Sequence, residues 1–249
     1  MRPIPLLASL CLGLGLDMGA LQAATCRSLA FESQGYAVCE AHAGEDLRLF
    51  LEDGDGAPIG TFDRLRKALA DEGRRPIFAM NAGMYHPDRR PVGLFVAEGE
   101  TLAGLVERPG PGNFGMTPNG VFCISATGFS VVETGRFAAT APACRFATQS
   151  GPMLVIEGAL HPRFLPGSAS RHVRNGVGVT ADGTTAYFVI SDAPVNFADF
   201  ARVFRDALKT PNALYFDGKV SRLYAPELQR DDIGFPMGPI VALAAPGAD

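Results

Sequence analysis

Short apolar runs separated by turn residues dominate the hydrophobic pattern of the chain. Most runs are four to eight residues long and are bounded by Gly, Pro, Asn or Asp, which is typical of strands joined by tight turns. The pattern predicts strands at 36–40, 47–51, 76–80, 92–97, 102–106, 119–124, 129–134, 153–156, 176–180, 185–191, 213–216 and 239–244.

Two segments instead show apolar residues at helical spacing. The first follows the N-cap Thr61, reaches residue 72 and ends at Gly73. The second follows the N-cap Asn196, covers 197–209 and is closed by Pro211. Many strands and two good helices predict an α+β fold, mainly antiparallel sheet with a few packed helices, in a single domain.

The amino terminus has a different character from the rest of the chain. Arg2 precedes an apolar run at 4–16, and small residues follow at Ala20, Ala23 and Ala24. This pattern predicts a signal peptide at 1–24, with the domain at 25–249. The run is too short for a membrane span, and no later segment approaches one. We therefore expect an exported protein, periplasmic or secreted.

Composition places the chain among ordinary globular proteins, with 47% hydrophobic and 19% charged residues. The net charge is -4, and no basic run is interleaved with aromatic residues, so we do not expect nucleic acid as a partner.

Four cysteines remain once Cys11 of the predicted signal peptide is set aside. An even number in an exported protein indicates disulfides, and four cysteines allow three pairings. We favour the two pairings that close short loops, which are Cys26 with Cys39 and Cys123 with Cys144. A zinc site is the alternative, but the spacing of the cysteines does not suit it.

Polar residues collect where the predicted strands begin or end. Gln149, Ser150 and Gly151 lead into one apolar run, and Arg174 and Asn175 open the next. Polar groups on a rigid sheet are a common way to build a site, although such residues also serve simply to cap strands.

Five motifs together resemble the phosphodiester glycosidase family, and most closely its bacterial periplasmic branch. Each is weak alone, but the series spans the chain from about residue 45 to its end. They are Asn81-Ala82-Gly83-Met84-Tyr85, Asn119-Gly120-Val121-Phe122, Gln149-Ser150-Gly151-Pro152, Arg174-Asn175-Gly176-Val177-Gly178 and Tyr215-Phe216-Asp217-Gly218.

One motif departs from the pattern of the animal members of the family. Their turn is of the Asp-Gly-Gly-Gly-Ser type, whereas Lys219 and Val220 here replace two of the glycines before Ser221. These side chains narrow how closely the backbone can approach a ligand.

The resemblance implies hydrolysis of a sugar-1-phosphodiester, and this reaction needs two kinds of group. A cation with hydrogen-bond donors must meet the phosphate, for which we expect Arg174 helped by Ser150, Ser221 and Asn81. A carboxylate must activate water or stabilise positive charge at the anomeric carbon, for which Asp217 is the first candidate.

Further residues complete the predicted site. Asp192 is the second candidate carboxylate, and His161 or His86 could carry protons. Gln149, Gly151, Asn175 and Gly218 are the remaining predicted substrate-binding residues. No metal or other cofactor is predicted, and the expected partner is a small-molecule or glycan substrate that carries a phosphodiester.

Other function classes are weighed against this one. A serine hydrolase is not indicated, because the chain lacks a Gly-x-Ser-x-Gly motif. The main alternative is a non-catalytic periplasmic module that binds an anionic glycan or sugar phosphate. Such a module would need Arg174 but would tolerate the substitution Asp217→Asn. A structural partner of envelope proteins is the third hypothesis, and it would need an exposed apolar patch.

Overall fold

The computed structural model describes residues 25–247 of the chain. The predicted signal peptide at 1–24 lies outside the described residues. Within them, the polypeptide forms mainly antiparallel sheet with three α-helices, which confirms the predicted α+β class.

The strands and helices are numbered here in chain order. The first strands and helices are β1 (Cys26–Phe31), β2 (Gln34–His42), β3 (Leu47–Phe50), α1 (Phe62–Asp71), β4 (Arg74–Asn81), β5 (Phe95–Ala97), β6 (Glu100–Ala103), β7 (Gly120–Ser125), β8 (Gly128–Glu133) and α2 (Thr134–Thr140). The later ones are β9 (Phe146–Ser150), β10 (Met153–Ile156), β11 (Ala159–Leu160), β12 (Asn175–Val179), β13 (Thr185–Ser191), α3 (Phe197–Arg202), β14 (Asn212–Asp217), β15 (Leu223–Ala225), β16 (Arg230–Asp231) and β17 (Ile240–Pro246).

These strands form three antiparallel sheets. The largest has seven strands in the order β1-β2-β13-β12-β14-β10-β11. The second sheet has the order β16-β15-β4-β17-β3, and the third has the order β6-β5-β9-β7-β8. Strands distant in sequence are neighbours in each sheet, so residues from separate motifs are brought together.

One face of each sheet contributes to a common central core. Phe78 of the second sheet and Phe122 of the third both pack on Phe188 of the first, with ring centroids 5.3 Å and 5.7 Å away. All three side chains are completely buried. Aromatic pairs at these distances add to the free energy gained by burial, so this cluster holds the three sheets together.

The opposite face of each sheet is covered by one of the helices. Phe62, Leu65 and Leu69 of α1 are buried against the second sheet. Phe200 of α3 packs on the outer face of the first sheet, and Phe137 of α2 packs on the third. None of the helices within 25–247 has the length and hydrophobicity needed to cross a bilayer.

The sequence predicted most of these elements. The helix after Thr61 is confirmed, because the Thr61 side chain accepts the backbone N–H of Arg64. The second predicted helix begins after Asn196 as expected and runs to Ala207, but only α3 is α-helical, because residues Val203–Ala207 form a π-helical turn. Strand β1 and helix α2 were not predicted, since neither has a clear apolar period.

Both predicted disulfides are present. Cys26 lies directly opposite Cys39 in the β1–β2 pair, and the bond joins the two strands. Cys144 is bonded to Cys123 of β7, which closes a loop with a sequence separation of 21 residues. The four sulfur atoms are therefore unavailable as metal ligands, and disulfides of this kind are typical of oxidising compartments.

We predict that Phe122→Ala strongly destabilises the fold, because it removes the ring that contacts both Phe188 and Phe216 at the meeting point of the sheets. The expected loss is about 3–5 kcal/mol in the free energy of unfolding. Urea denaturation measures it, with Phe235→Ala as the control because Phe235 is 79% exposed. A loss no larger than that of the control would contradict the central role of Phe122.

Candidate functional site

Two buried asparagines join strands of two sheets. Asn81 ends β4 and Asn175 begins β12, and both are fully buried. Asn175 Nδ2 donates to the backbone oxygen of Asn81 at 2.8 Å and to its Oδ1 at 3.0 Å. Asn81 Nδ2 donates in return to Asn175 Oδ1 at 3.1 Å. We call this pair the amide junction. Because buried amides without partners are costly, the reciprocal bonds fix β4 against β12.

The amide junction also holds both ends of the turn that follows β14. Asn81 Oδ1 accepts the backbone N–H of Arg222 at 3.0 Å. Asn175 Oδ1 accepts the backbone N–H of Asp217 at 3.2 Å and lies 3.3 Å from Ser221 Oγ. Residues 217–222 are therefore anchored on a rigid base, and we refer to them as the site turn.

Asp217 begins the site turn and caps it. Its Oδ1 accepts the backbone N–H groups of Gly218 at 2.6 Å and Lys219 at 2.8 Å. Burial raises the pKa of the Asp217 carboxyl above its usual value, although these N–H bonds and the charge of Lys219 act in the opposite direction. Asp217 therefore holds its proton more tightly than a surface aspartate.

A bulge in β14 sets the direction of Asp217. Asn175 lies opposite Asp217 and Gly176 lies opposite Tyr215, so one residue, Phe216, has no partner in the pairing with β12. Ser150, at the end of β9, donates its hydroxyl to the Phe216 carbonyl at 2.9 Å. The third sheet thus satisfies the backbone group that the bulge leaves free.

Arg174 lies behind the site turn and is completely buried. Its guanidinium carbon is 3.6 Å from the ring centroid of Phe197, and its N–H groups donate to Val195 O, Ser170 O and Tyr215 Oη. No carboxylate pairs with it among the described residues, and burial lowers the pKa of Arg174. Backbone oxygens and an aromatic face therefore stabilise this charge.

Tyr215 links Arg174 to the site turn. A Cβ atom at Gly218 would lie 2.0 Å from Tyr215 Oη, so no other residue fits there without displacing the tyrosine. The backbone of Gly218 does not adopt a left-handed conformation. The glycine is thus required by the close approach of Tyr215, and Arg174 acts on the turn through that hydroxyl.

An open cleft of about 590 Å³ adjoins the site turn. It is lined by Val173, Ser191, Asp192, Gly218, Lys219, Val220, Ser221, Arg222, Arg230, Asp231, Asp232, Ile233 and Phe235. We call it the cleft. Five of the six residues of the site turn, 218–222, are among its walls, and Asp217 lies next to them, so a bound molecule would meet the turn directly.

The acidic residues of the cleft are paired with arginines. Asp192 and Asp232 both pair with Arg230, at 3.3 Å and 2.7 Å. Asp231 pairs with Arg66 at 2.8 Å.

The cleft also holds two cations that are not compensated in this way. The guanidinium of Arg222 forms no hydrogen bond or ion pair with the described residues, nor does the ammonium of Lys219. Burial lowers the pKa of Arg222, which is only 7% exposed. Neither cation touches a carboxylate of the described residues, although the charge of Asp232 acts to raise the pKa of Arg222 and the charge of Lys219 acts to lower that of Asp217. Two cationic groups with free hydrogen-bond donors in one cleft favour an anion.

Gln149 and Gly151 lie at structural contacts. Gln149 Oε1 accepts the backbone N–H groups of Leu94 and Val106, and its Nε2 donates to the Val106 carbonyl at 2.7 Å. Gly151 packs so closely on Asn119 that a Cβ atom there would lie 2.5 Å from the Asn119 Cβ. The side-chain amide of Gln149 is occupied by backbone partners.

The two candidate histidines lie outside the cleft walls. His161 is 2% exposed and stacks on Phe164 with a centroid distance of 4.8 Å. Its Nδ1 accepts the backbone N–H of Arg163, and burial lowers the pKa of the imidazole. His86 lies in a turn closed by a backbone bond to Arg90.

The fold thus gathers part of the predicted set and separates the rest. Asn81, Asn175, Asp217, Gly218 and Ser221 meet at the site turn, with Ser150 and Arg174 supporting it from two sides and Asp192 in the cleft. The sequence did not indicate Arg222, Arg230 or Tyr215 as site residues. The sequence signals that could have found them were the place of Tyr215 in the Tyr215-Phe216-Asp217-Gly218 motif and that of Arg222 next to Ser221.

A model of the family described as NAGPA, phosphodiester glycosidase, matches residues 74–232 of the chain. The chain is also 34% identical over 180 residues to the uncharacterized protein YigE of Escherichia coli K12. That match covers 72% of this chain and 70% of YigE.

Solved structures of similar fold come from an animal and a bacterium. The catalytic domain of zebrafish N-acetylglucosamine-1-phosphodiester alpha-N-acetylglucosaminidase, auto-inhibited by its pro-peptide, matches with a TM-score of 0.57 and 13% identity, over 88% of this chain and 81% of that one. A candidate exported protein of Burkholderia pseudomallei matches with a TM-score of 0.56 and 13% identity, over 84% and 74% of the two chains. At these identities, the two matches bear on the fold alone.

We predict that Asn175→Ala destabilises the protein by about 2–4 kcal/mol, because it leaves the buried Asn81 amide and the Asp217 N–H without their partner. Asn212→Ala is the matched control. Its Oδ1 accepts one N–H, from the exposed Glu157, and we expect a loss of about 1 kcal/mol or less. Urea unfolding of the two variants measures the difference, and equal losses would contradict the importance of the amide junction.

Proposed function

The chain belongs to the phosphodiester glycosidase family, and on this basis we propose that it hydrolyses the glycosidic bond of a sugar-1-phosphodiester. The products are the free sugar and a phosphate monoester. The observation that carries the proposal is a pair of cations, Lys219 and Arg222, that touch no carboxylate of the described residues and line a cleft bordered by the Asp217 turn. A phosphodiester carries one negative charge, which these cations would meet.

The bond to be broken joins the anomeric carbon to the phosphate oxygen. As it breaks, its electron pair goes to the phosphate, and positive charge develops on the sugar ring. Water supplies a hydroxyl group to the anomeric carbon and loses one proton. Because phosphate is a good leaving group, stabilising its growing charge matters more than protonating it. Arg222 and Lys219 are suited to that task by charge and position.

Asp217 is proposed as the carboxylate that takes the proton from the attacking water. The two turn N–H bonds fix its Oδ1, and the bulge at Phe216 sets its direction. Its raised pKa makes it a stronger base than a surface aspartate once it is ionised. Asp192, which lines the cleft directly, is the second candidate for this role.

We propose indirect roles for several other predicted residues. Asn81, Asn175 and Ser150 would position the site turn, and Ser221 would contact substrate from the wall of the cleft. Arg174 would support Gly218 through Tyr215 and add positive potential behind the phosphate. His161, Gln149 and Gly151 stay predictions without a contact to the cleft. The reaction proposed here uses no cofactor.

We further propose that the protein is exported. The two disulfides suit a periplasmic or extracellular location, where thiols are oxidised. A phosphodiester on a glycan or on another envelope component would be accessible there.

We predict that Asp217→Asn abolishes sugar release while leaving the melting temperature nearly unchanged. An asparagine Oδ1 can still accept the N–H groups of Gly218 and Lys219, but it cannot take a proton from water. Asp182→Asn is the matched control, because Asp182 also caps an Asp-Gly turn but in an exposed hairpin. The measurement is release of free sugar from a panel of sugar-1-phosphodiesters.

The same panel distinguishes a hydrolase from a binding module. If wild type and Asp217→Asn bind the diesters equally and neither releases sugar, the chain is a non-catalytic module. Full activity of Asp217→Asn would instead remove Asp217 from the mechanism.

We predict that kcat/KM falls at acid pH with an apparent pKa above the usual value of Asp, because the ionised base is needed and burial raises the pKa of Asp217. The charge of Lys219 acts to lower that pKa. Lys219→Met should therefore move the acid limb to still higher pH, whereas Lys67→Met on α1 should not. A limb that stays in place in Lys219→Met would argue against Asp217 as the titrating group.

A further inference from the structure

Two large apolar side chains stand exposed at the cleft. Ile233 and Phe235 are 93% and 79% exposed, and both line the cleft. Among the described residues, only Leu102 and Leu165 are comparable large apolar side chains in the solvent, and neither is among the cleft walls. Exposed apolar groups gathered at a cavity are characteristic of binding surfaces.

The exposure is not explained by a loose loop. Before Ile233, Asp232 accepts the backbone N–H of Leu223 with its Oδ2 at 2.9 Å, and its own N–H bonds to the Leu223 carbonyl. After Phe235, the Pro236 carbonyl accepts the Tyr85 hydroxyl at 3.1 Å, and the Met237 N–H bonds to Gly60 O at 2.7 Å. The segment 233–235 is thus anchored at both ends and keeps its apolar side chains in water.

Ile233 and Phe235 flank a glycine that lies against the guanidinium of Arg222. Gly234 has a φ of +146°, and a Cβ atom there would lie 2.6 Å from Arg222 Nη2. The glycine lets the backbone rest on the guanidinium, and Ile233 and Phe235 lie on either side of it in sequence. A site for a negative charge and a site for an apolar group are therefore adjacent.

We propose that the group beyond the phosphate in the substrate is an alkyl chain, which lies across Ile233 and Phe235 while Arg222 and Lys219 meet the phosphate. This inference rests on the proposed function and specifies its substrate class. A sugar would bind less well against residues 233–236, because this Ile-Gly-Phe-Pro segment has no polar side chain to recognise hydroxyl groups. The sugar ring would instead meet Ser191, Asp192 and Ser221 on the polar walls.

The test is a chain-length series. Methyl, butyl, hexyl and octyl esters of α-D-glucose 1-phosphate and of N-acetyl-α-D-glucosamine 1-phosphate are compared by kcat/KM, below their critical micelle concentrations. Complete burial of one methylene group tightens binding about fourfold. Ile233 and Phe235 lie at the open side of the cleft and would cover only part of each methylene group. We therefore expect kcat/KM to rise roughly twofold per methylene in wild type.

The double variant Ile233→Ser/Phe235→Ser should lose the dependence on chain length, so that its kcat/KM for the octyl ester no longer exceeds its own value for the methyl ester. Leu165→Ser removes an apolar side chain that is 71% exposed and lies outside the cleft walls, and it should behave like wild type. A wild-type series with no dependence on chain length would overturn the alkyl proposal while leaving the proposed hydrolysis intact.

Failure of the proposed function is recognised separately. If wild type cleaves none of the esters, calorimetric binding of octyl phosphate and methyl phosphate replaces the kinetic test. Tighter binding of octyl phosphate that is lost in the double variant would support the apolar subsite, and equal binding of the two would overturn it. A wild-type dimer that dissociates in the double variant would also overturn it, because a second copy would then cover the pair.

A membrane-borne substrate and a dissolved one share this chemistry. Turnover of a hexadecyl ester held in phosphatidylcholine vesicles, compared with turnover of the dissolved octyl ester, distinguishes the two sources.

Discussion

The reciprocal amide pair of Asn81 and Asn175 is the contact on which the geometry of the candidate site depends. Strands β4 and β12 belong to different sheets, and no ladder of backbone hydrogen bonds joins them. Side-chain amides can bridge that gap because each offers two donors and an acceptor, and here they bond both to each other and to the backbone of the site turn. The turn connects β14 of the first sheet to β15 of the second, and the amide pair adds side-chain bonds that fix its two ends relative to each other.

Charge is distributed unevenly around that turn. Many arginines outside it have carboxylate partners, for example Arg48 with Asp46 and Arg202 with Glu32. Arg174 and Arg222 have none among the described residues, although both are largely buried. A desolvated cation without an anion is costly, so its presence needs a reason. Arg174 is stabilised by carbonyl oxygens and Phe197, whereas Arg222 has only the charge of Asp232 beyond ion-pair distance, which makes it the stronger candidate for an external anion.

The fold was largely predictable because helix caps and turns depend on residues close together in the sequence. The site depends on contacts between residues far apart in the sequence, for which the sequence contains no signal. Thr61 and Asn196 cap their helices as the sequence indicates, because an N-cap bond is formed within three residues. The π-helical end of the helix after Asn196 was not predicted, since apolar spacing continues into residues Val203–Ala207 while the backbone changes to a π turn. Two features of the site depend on contacts between segments that are distant in sequence. The Gln149 side chain bonds to the backbone of Leu94 and Val106, and Tyr215 leaves no room for a side chain at residue 218. No periodicity records such contacts.

Lys219 and Val220, which stand where the resemblance to the animal members leads one to expect glycines, change the surface of the turn more than its backbone. Neither residue has a positive φ, so their side chains cost no backbone strain, and the glycine that the turn cannot replace is Gly218. What the replacement changes is the surface offered to a ligand. A glycine turn presents backbone N–H groups at close range. Here the backbone N–H of Lys219 is already bonded to Asp217, and the ammonium group of Lys219 is exposed in the cleft. Recognition of an anion would accordingly pass from backbone dipoles to full charges. Full charges act over longer distances but are less exacting about geometry. A cleft of this kind suits a phosphate whose substituents vary, and the structure would then have to obtain its selectivity from the walls around the charge.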